Sequence, residues 1–461
     1  MEYEEFLKSK EIKFESSGFD VDRESLNNSL FEYQKDIVPW SLRKGKSAVF
    51  TDCGTGKTAM QLEWANKVCN HTNGNVLILA PLAVSKQTVE EGKKFGIDVN
   101  IAASQNDIKP GINITNYEKL HKFDMNKFMG IVLDESSILK SFTGKIRNQI
   151  IDSCRNIKYR LACTATPAPN DFMELGNHAE FLGVMTRQEM LSMFFVHDGG
   201  NTSQWRLKGH AVDKFWKWVS TWAVVMRNPG DLGYDDAKFK LPKLNIQEIT
   251  VKNEEDYNTL IPMVAQTLKE RRQARKSSLK NRVVKAAELV NKSNENWLVW
   301  CNYNDESKAL TKVINEGVEV TGSDTDEHKT DSMMEFAKGN IKALISKPSL
   351  CGWGMNFQST HNMIFCGLSD SYEQFYQAVR RQWRFGQTKQ VNVYVIIGAK
   401  EIAVINNIKR KQKDAETMQN EMVKYTKDIM KDNIKSTCRE TTGYRPKVEM
   451  ILPEWIGGVA I

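Results

Sequence analysis

Short apolar, β-branched runs set the strongest constraint on this chain. They occur as SAVFTD (47–52), NVLILA (75–80), NITNY (113–117), GIVLDE (130–135) and RLACTAT (160–166). They resume as NWLVWCN (296–302), KALISK (342–347), NMIFCG (362–367) and VNVYVIIG (391–398), and helical patterns fill the intervals. A strand that is apolar on both faces must be covered on both, which is the environment of a parallel sheet with helices above and below. Two such blocks predict two α/β domains, and 461 residues are more than one ordinary core accommodates.

A different region, about 172–295, separates the blocks. It opens with a helical, tryptophan-rich stretch (Trp205, Trp216, Trp218, Trp222), whose near-helical spacing predicts a small apolar core. RNPGDLGYDDAKFKLPK and then the basic run KERRQARKSSLKNR follow. The basic run reads either as a solvated helix face or as a nucleic-acid contact. Beyond residue 400 the chain is charged and helical, a tail that either docks back on the second block or recruits a partner.

No apolar run reaches the roughly 18 residues needed to span a bilayer. The acidic N-terminal stretch MEYEEFLKSKEIKFE lacks the apolar segment of a signal peptide, so the expected setting is the cytoplasm. Eight cysteines form no CxxC pair and no zinc spacing, which predicts reduced thiols and no structural metal. A net charge of +7 is compatible with a nucleic-acid partner without requiring one.

The chemistry is concentrated in a few motifs. TDCGTGKT (51–58) lies between a strand and the helical pattern QLEWANKV. Gly54 and Gly56 let backbone N–H groups, including that of Thr55, approach phosphates; Lys57 reaches the β- and γ-phosphates and Thr58 ligates Mg²⁺. VLDESS (132–137) ends a strand in two acids at the same sheet edge. Asp134 is expected to hold Mg²⁺ through water and Glu135 to activate the attacking water. TATP (164–167) ends a later strand.

In this order the motifs resemble those of superfamily 2 helicases and translocases, most closely the Swi/Snf-type motors, over about residues 30–398. LFEYQKDIVPW (30–40) resembles the Q-motif region, which implies Gln34 as an adenine contact. ILAPLAV (78–84) and ITNYEKL (114–120) fall where these motors line a nucleic-acid track, DESSILKS takes the DEAH-box position and TATPAPNDFMEL that of motif III. VVMRNPGDLGYDDAKFKLPKLNIQEITV (224–251) is similar to the segment entering the second lobe. CGWGMNFQSTHNMIFCGLSDSYEQFYQAVRRQWRFGQTKQVNVYVI (351–396) resembles motifs V and VI almost end to end. Departures are the Ser-Ser ending of motif II, Trp353 within the glycine cluster of motif V, and Arg380 and Trp383 where the family usually carries Asp and His.

The resemblance implies an α/β fold of two RecA-like parallel-sheet lobes in tandem. The first would span 1–240, with a helical insertion at about 172–230, the second 241–400, and the tail 401–461. It implies ATP and Mg²⁺ as cofactors, held by lobe 1 and by Gly354 of motif V. Arg381 and Arg384 would be the fingers that lobe 2 extends to the γ-phosphate. Gln377, Arg381 and Arg384 are expected on one helical stripe, beside an apolar stripe of Tyr372, Tyr376, Val379 and Trp383 that anchors the helix in the core. Nucleic-acid contacts are expected from Pro81, Thr115, Asn116 and Tyr117 in lobe 1 and from Lys347, Ser349 and Asn356 in lobe 2. The expected activity is ATP-driven translocation of a monomeric motor on DNA, duplex favoured over single strands or RNA, with a recruiting protein as a further partner. A strand-separating DNA or RNA helicase is the alternative within the class, and an ATP-gated clamp the alternative outside it.

Overall fold

Each of the nine apolar runs forms a strand. In the computed structural model, residues 16–81, 84–141, 143–198, 201–252, 268–351 and 355–435 are described. The first block gives β1 (Lys46–Thr51), β2 (Asn75–Ala80), β3 (Val99–Ile101), β4 (Ile112–Asn116), β5 (Phe128–Asp134) and β6 (Tyr159–Thr164). After the insertion, which carries a hairpin of β7 (Phe195–Asp198) and β8 (Asn201–Leu207), the chain returns as β9 (Ala223–Met226). These strands, without the hairpin, make one seven-stranded sheet in the order β3-β4-β2-β5-β6-β1-β9. The second block contributes β10 (Leu244–Val251), β11 (Trp297–Trp300), β12 (Gly317–Val320), β13 (Ala343–Ser346), β14 (Asn362–Cys366) and β15 (Val391–Gly398). They form a six-stranded sheet in the order β10-β15-β14-β11-β13-β12. Every pairing within the two sheets is parallel. The fold is thus two RecA-like lobes in tandem.

Apart from the hairpin, the strands that the apolar pattern does not announce are β3, β9, β10 and β12, the four sheet edges. An edge strand is not enclosed like a central one and need not read as a continuous apolar run. β10, for example, is largely solvated along its length. β9 is the exception, because AVVM is fully buried; it closes a region that reads as helical, and tertiary pairing with β1 decides its conformation.

Helices cover both faces of each sheet. Five bear on the site or its supports: α1 (Glu32–Lys44), α2 (Lys57–Thr72), α3 (Leu175–Leu182), α4 (Val212–Ser220) and α5 (Tyr372–Val379). Trp216, Trp218 and Trp222 are buried as expected, in a core continuous with that of lobe 1 rather than a separate one. The basic run is neither of the things the sequence offered at Arg275 and Arg282. Both are buried, and both bond to the carboxylate of Glu306, Arg275 Nε at 2.6 Å and Arg282 Nη1 at 2.9 Å. They brace lobe 2 from inside.

The tail adds a long helix, α6 (Ile402–Lys435). Its first turns (Val404, Ile405, Ile408) join the core of lobe 2. Farther along, Met422 and Val423 enter one core layer of lobe 1, and Met430 and Ile434 the other. Tyr425 stacks on Trp216 of α4, with ring centroids 6.1 Å apart and planes 4° from parallel. The tail therefore docks back, but the greater part of its docking is on lobe 1.

Candidate active site between the two lobes

Parallel strands bring their C-terminal ends to one edge, and β1, β6 and β5 are consecutive neighbours. This places the loop after Thr51, the Thr164 turn and the Asp134–Glu135 pair side by side. The loop needs its glycines: Gly54 and Gly56 have φ of +87° and +72°, conformations that L residues rarely adopt. At Gly56 the space is also taken, since a Cβ there would lie 2.3 Å from Gln34 Nε2. Gln34 donates that amide to Thr55 O at 3.0 Å, and Tyr33 donates its hydroxyl to the same carbonyl at 2.6 Å. Gln34 is thus packed against the loop, with its amide engaged by the loop backbone.

Lys57 Nζ donates to Thr51 O at 2.8 Å and to Asp52 O at 3.0 Å. Thr58 follows it in the first turn of α2. One turn on, Gln61 donates to Asp134 Oδ1 at 2.8 Å. Burial pushes the Asp134 carboxyl up to about 6, against the opposing effect of the Gln61 hydrogen bond. Glu135 has φ of +61°, an unusual conformation for a non-glycine residue, which turns it away from the line of β5. Its Oε1 accepts hydrogen bonds from the hydroxyls of Thr164 and, at 3.1 Å, Ser137. TATP thereby meets the acidic pair through Thr164. Ser136 lies 3.1 Å from His178 Nε2, a fully buried histidine of α3 that sequence reasoning did not single out.

Thr58 and Asp134 offer oxygen donors only, which suits Mg²⁺. Among the described residues no cluster of three or more His, Cys, Asp or Glu side chains gathers. An ion at this edge would therefore take most of its ligands from water and phosphate, as Mg²⁺ does.

Lobe 2 meets this edge through α5 and the turn after it. A Cβ on Gly54 would lie 2.7 Å from Phe385 N, so the turn packs directly on the phosphate loop. The expected helical stripe is cut short: α5 ends at Val379, and Arg380 is its C-cap. Arg381 and Arg384 stand in the turn. Arg381 donates to Gln377 Oε1 at 2.8 Å and to Met355 O at 3.1 Å, and Arg384 donates to the same Met355 carbonyl at 3.3 Å. Burial and the neighbouring Arg381 push the Arg384 guanidinium down to about 10. Trp383 anchors the turn as expected, donating Nε1 to Pro242 O at 2.8 Å while packing on the lobe 2 core. Tyr376 does not belong to that apolar stripe. It faces lobe 1 and donates its hydroxyl to Asp52 Oδ1 at 2.6 Å.

Of the candidate nucleic-acid contacts, Pro81, Tyr117 and Ser349 line one cavity of about 420 Å³, together with Glu135, Lys140 and Lys329. Tyr117 is otherwise buried and donates its hydroxyl to Asp134 O at 2.7 Å. Thr115 and Asn116 are buried too, and the Asn116 side chain caps the following turn by accepting from Lys119 N. Lys347 donates to Asn304 Oδ1 at 2.6 Å. Asn356 borders a separate cavity of about 450 Å³ between lobe 2 and the helix Ser85–Phe95. Gly354 and Trp353 lie outside the described residues.

The residues missed by the sequence reading are those that join the lobes: Asp52, Lys140, Glu373 and Tyr376. Glu373, Tyr376 and Arg380 recur at spacings of 3 and 4, a polar stripe on α5 that the arginines overshadow.

Two family models match the chain, one in each lobe. "Type III restriction enzyme, res subunit" covers residues 20–169, and "Helicase conserved C-terminal domain" covers residues 280–386. Mouse "DNA annealing helicase and endonuclease ZRANB3" is 21% identical over 421 residues, which take in 81% of this chain and 39% of that protein. The chain thus spans about two fifths of the length of this curated relative. Among solved structures, "Sulfolobus solfataricus SWI2/SNF2 ATPase core in complex with dsDNA" is similar at 18% identity and a TM-score of 0.41, covering 91% of this chain and 99% of that one. One family model thus matches each lobe, in the order in which the motifs occur, and the chain is similar to helicase-type proteins in both.

Proposed function

We propose that the chain is a nucleic-acid-dependent ATPase that uses ATP to move along duplex DNA and to remodel DNA or DNA–protein complexes. One observation carries this reading. The turn holding Arg381 and Arg384 packs on Gly54 of the phosphate loop, which supports a nucleotide on that loop being contacted from both lobes. Lys57 and the loop amides would bind the phosphates, Thr58 and Asp134 would hold the ion's water shell, and Glu135 would take the proton of the attacking water. Mg²⁺ would supply charge neutralisation across the β- and γ-phosphates. Arg381 and Arg384 would leave the Met355 carbonyl and stabilise the charge that develops on the γ-phosphate. Hydrolysis would then depend on lobe closure, and lobes that open and close on a strand advance along it. Contacts through Pro81, Tyr117, Lys347, Ser349 and Asn356 would go mainly to phosphate and sugar, and so carry little sequence information. The protein would act as a monomer on cytoplasmic DNA; among the described residues no helix is long and apolar enough to cross a membrane.

The test compares ATPase rates with duplex DNA, single-stranded DNA and RNA, alongside triplex displacement and unwinding of a forked duplex. Duplex-specific stimulation with triplex displacement and no unwinding is the expected result. Stimulation by RNA alone refutes it, and unwinding of the fork transfers the activity to strand separation. Nucleotide binding without turnover on any nucleic acid leaves a clamp.

A further inference from the structure

The polar stripe on α5 touches lobe 1 at every step. Glu373 pairs with Lys140 of the DESSILKS segment. Tyr376 donates to Asp52 Oδ1 at 2.6 Å, and Gln377 Oε1 lies 3.9 Å from Cys53 Sγ. Arg380 Nη2 lies 2.8 Å from Asp52 Oδ2 and donates to Cys53 O at 2.8 Å. This arginine is 4% exposed, and its guanidinium carbon stands 5.8 Å from the Tyr376 ring centroid and 5.1 Å from that of Trp383. An arginine this buried is held in one place by its aromatic neighbours and its carboxylate partner.

Asp52 is gripped at both ends. Its carboxylate takes Tyr376 and Arg380 from lobe 2, while its carbonyl accepts Lys57 Nζ at 3.0 Å. A shift of lobe 2 relative to lobe 1 therefore pulls on the residue whose backbone holds Lys57.

We propose that Arg380, with Tyr376, is a positioning residue that clamps Asp52 and so couples the seating of lobe 2 to the setting of the phosphate loop and Lys57. The role rests on the ATPase reading above, but the clamp has a signature of its own. Arg380 touches no reacting atom; it acts through Asp52. An acid in its place would face the Asp52 carboxylate. Arg380 and Asp52 are thus a matched pair in this chain.

A double-mutant cycle with neutral replacements tests it, using Arg380→Gln, Asp52→Asn and both together. With saturating duplex DNA, each single variant is expected to lose roughly 10- to 100-fold in kcat with KM for ATP within about threefold, and the double variant to be no worse than the poorer single. Additive losses, or an Arg380→Gln variant within about twofold of the parent, overturn the clamp. Arg380→Lys recovers part of the loss, because an ammonium keeps the charge but not the fork that reaches both Asp52 and Cys53 O.

A second readout needs no turnover. Gln377→Cys puts a thiol beside native Cys53, and mild oxidation then joins the lobes at a rate reporting how often they meet there. Adding Arg380→Gln is expected to slow that cross-link by about tenfold, as the closed arrangement becomes less populated. Equal rates overturn the clamp. If no nucleic acid stimulates ATP hydrolysis by the parent protein, the motor reading fails and the cross-linking rates alone decide the clamp.

Discussion

Replacing Gly54 by alanine separates the two demands made on that residue. The first is conformational: at φ of +87° a side chain is strained whatever its surroundings, by about 1–2 kcal/mol. The second is spatial. The new Cβ would lie 2.7 Å from Phe385 N and 3.0 Å from Phe385 Cβ, against 3.4 Å or more for ordinary contact. The lobe 2 turn must therefore retreat by at least ~0.7 Å, carrying Arg384 with it. A misplacement of about 1 Å in a positioning group costs on the order of 100-fold in rate. Gly96 supplies the control, since its φ of +67° demands the same strain while no atom lies within 4 Å of its would-be Cβ. The expected outcome is a Gly54→Ala protein that folds and binds ATP within about threefold of the parent but loses roughly 100-fold in DNA-stimulated kcat. Gly96→Ala should lose stability only. The assay is steady-state ATPase at saturating duplex, with nucleotide affinity measured by titration. The reasoning fails if Gly54→Ala turns over at the parental rate. It fails equally if the defect lies in ATP affinity with kcat intact, because the glycine's importance would then be contact with phosphate rather than with lobe 2.

Three further outcomes are expected. Arg381→Ala should lose about 10³-fold or more in hydrolysis while ATP binding survives, and near-normal turnover would remove its role as a finger. Glu306→Ala takes the paired carboxylate from Arg275 and leaves Arg282 with Glu401 at 3.8 Å, a loss of about 3–5 kcal/mol that should lower the melting temperature of this lobe by roughly 6–20 °C, read from Trp297 and Trp300 fluorescence; a shift of only a degree or two would mean that Glu401 and the backbone carbonyls suffice for both arginines. His178 is buried neutral, its pKa lowered from 6.5 to about 4 by desolvation. The unfolded chain takes up a proton there that the folded one refuses, so this stability is complete above about pH 6.5 and is lost as pH falls toward 4, roughly 2–4 kcal/mol in all. Denaturant titrations of the parent and a His178→Gln variant should diverge below pH 6.5, and parallel curves would contradict the assignment.

The parts of this protein legible in its sequence are those where one residue type answers a local demand. Central strands enclosed on both faces read as apolar runs, and glycines at positive φ beside a lysine read as a phosphate loop. What escaped the reading depends on partners distant in sequence. Arg275 looks like any other member of a basic run until Glu306 is found beside it. Tyr376 looks like core until Asp52 is found opposite. Helical spacing carried Arg381 and Arg384 onto a helix that ends at Val379, because periodicity records which faces align and not where the backbone stops. Lys140 and Glu373 meet only because two lobes do.

The long C-terminal helix has a consequence for biosynthesis. Lobe 1 closes its sheet at Met226, yet Met430 and Ile434 belong to one of its core layers. At about 5–20 residues per second, a ribosome needs roughly 10–40 s to travel from one to the other. During that interval the nascent first lobe is exposed along the strip that α6 will cover, while the second lobe folds behind it. A chain stalled near residue 400 would carry every ATPase motif and still present an uncovered apolar groove. Chaperone dependence should therefore peak late in synthesis, after the chemistry is already encoded.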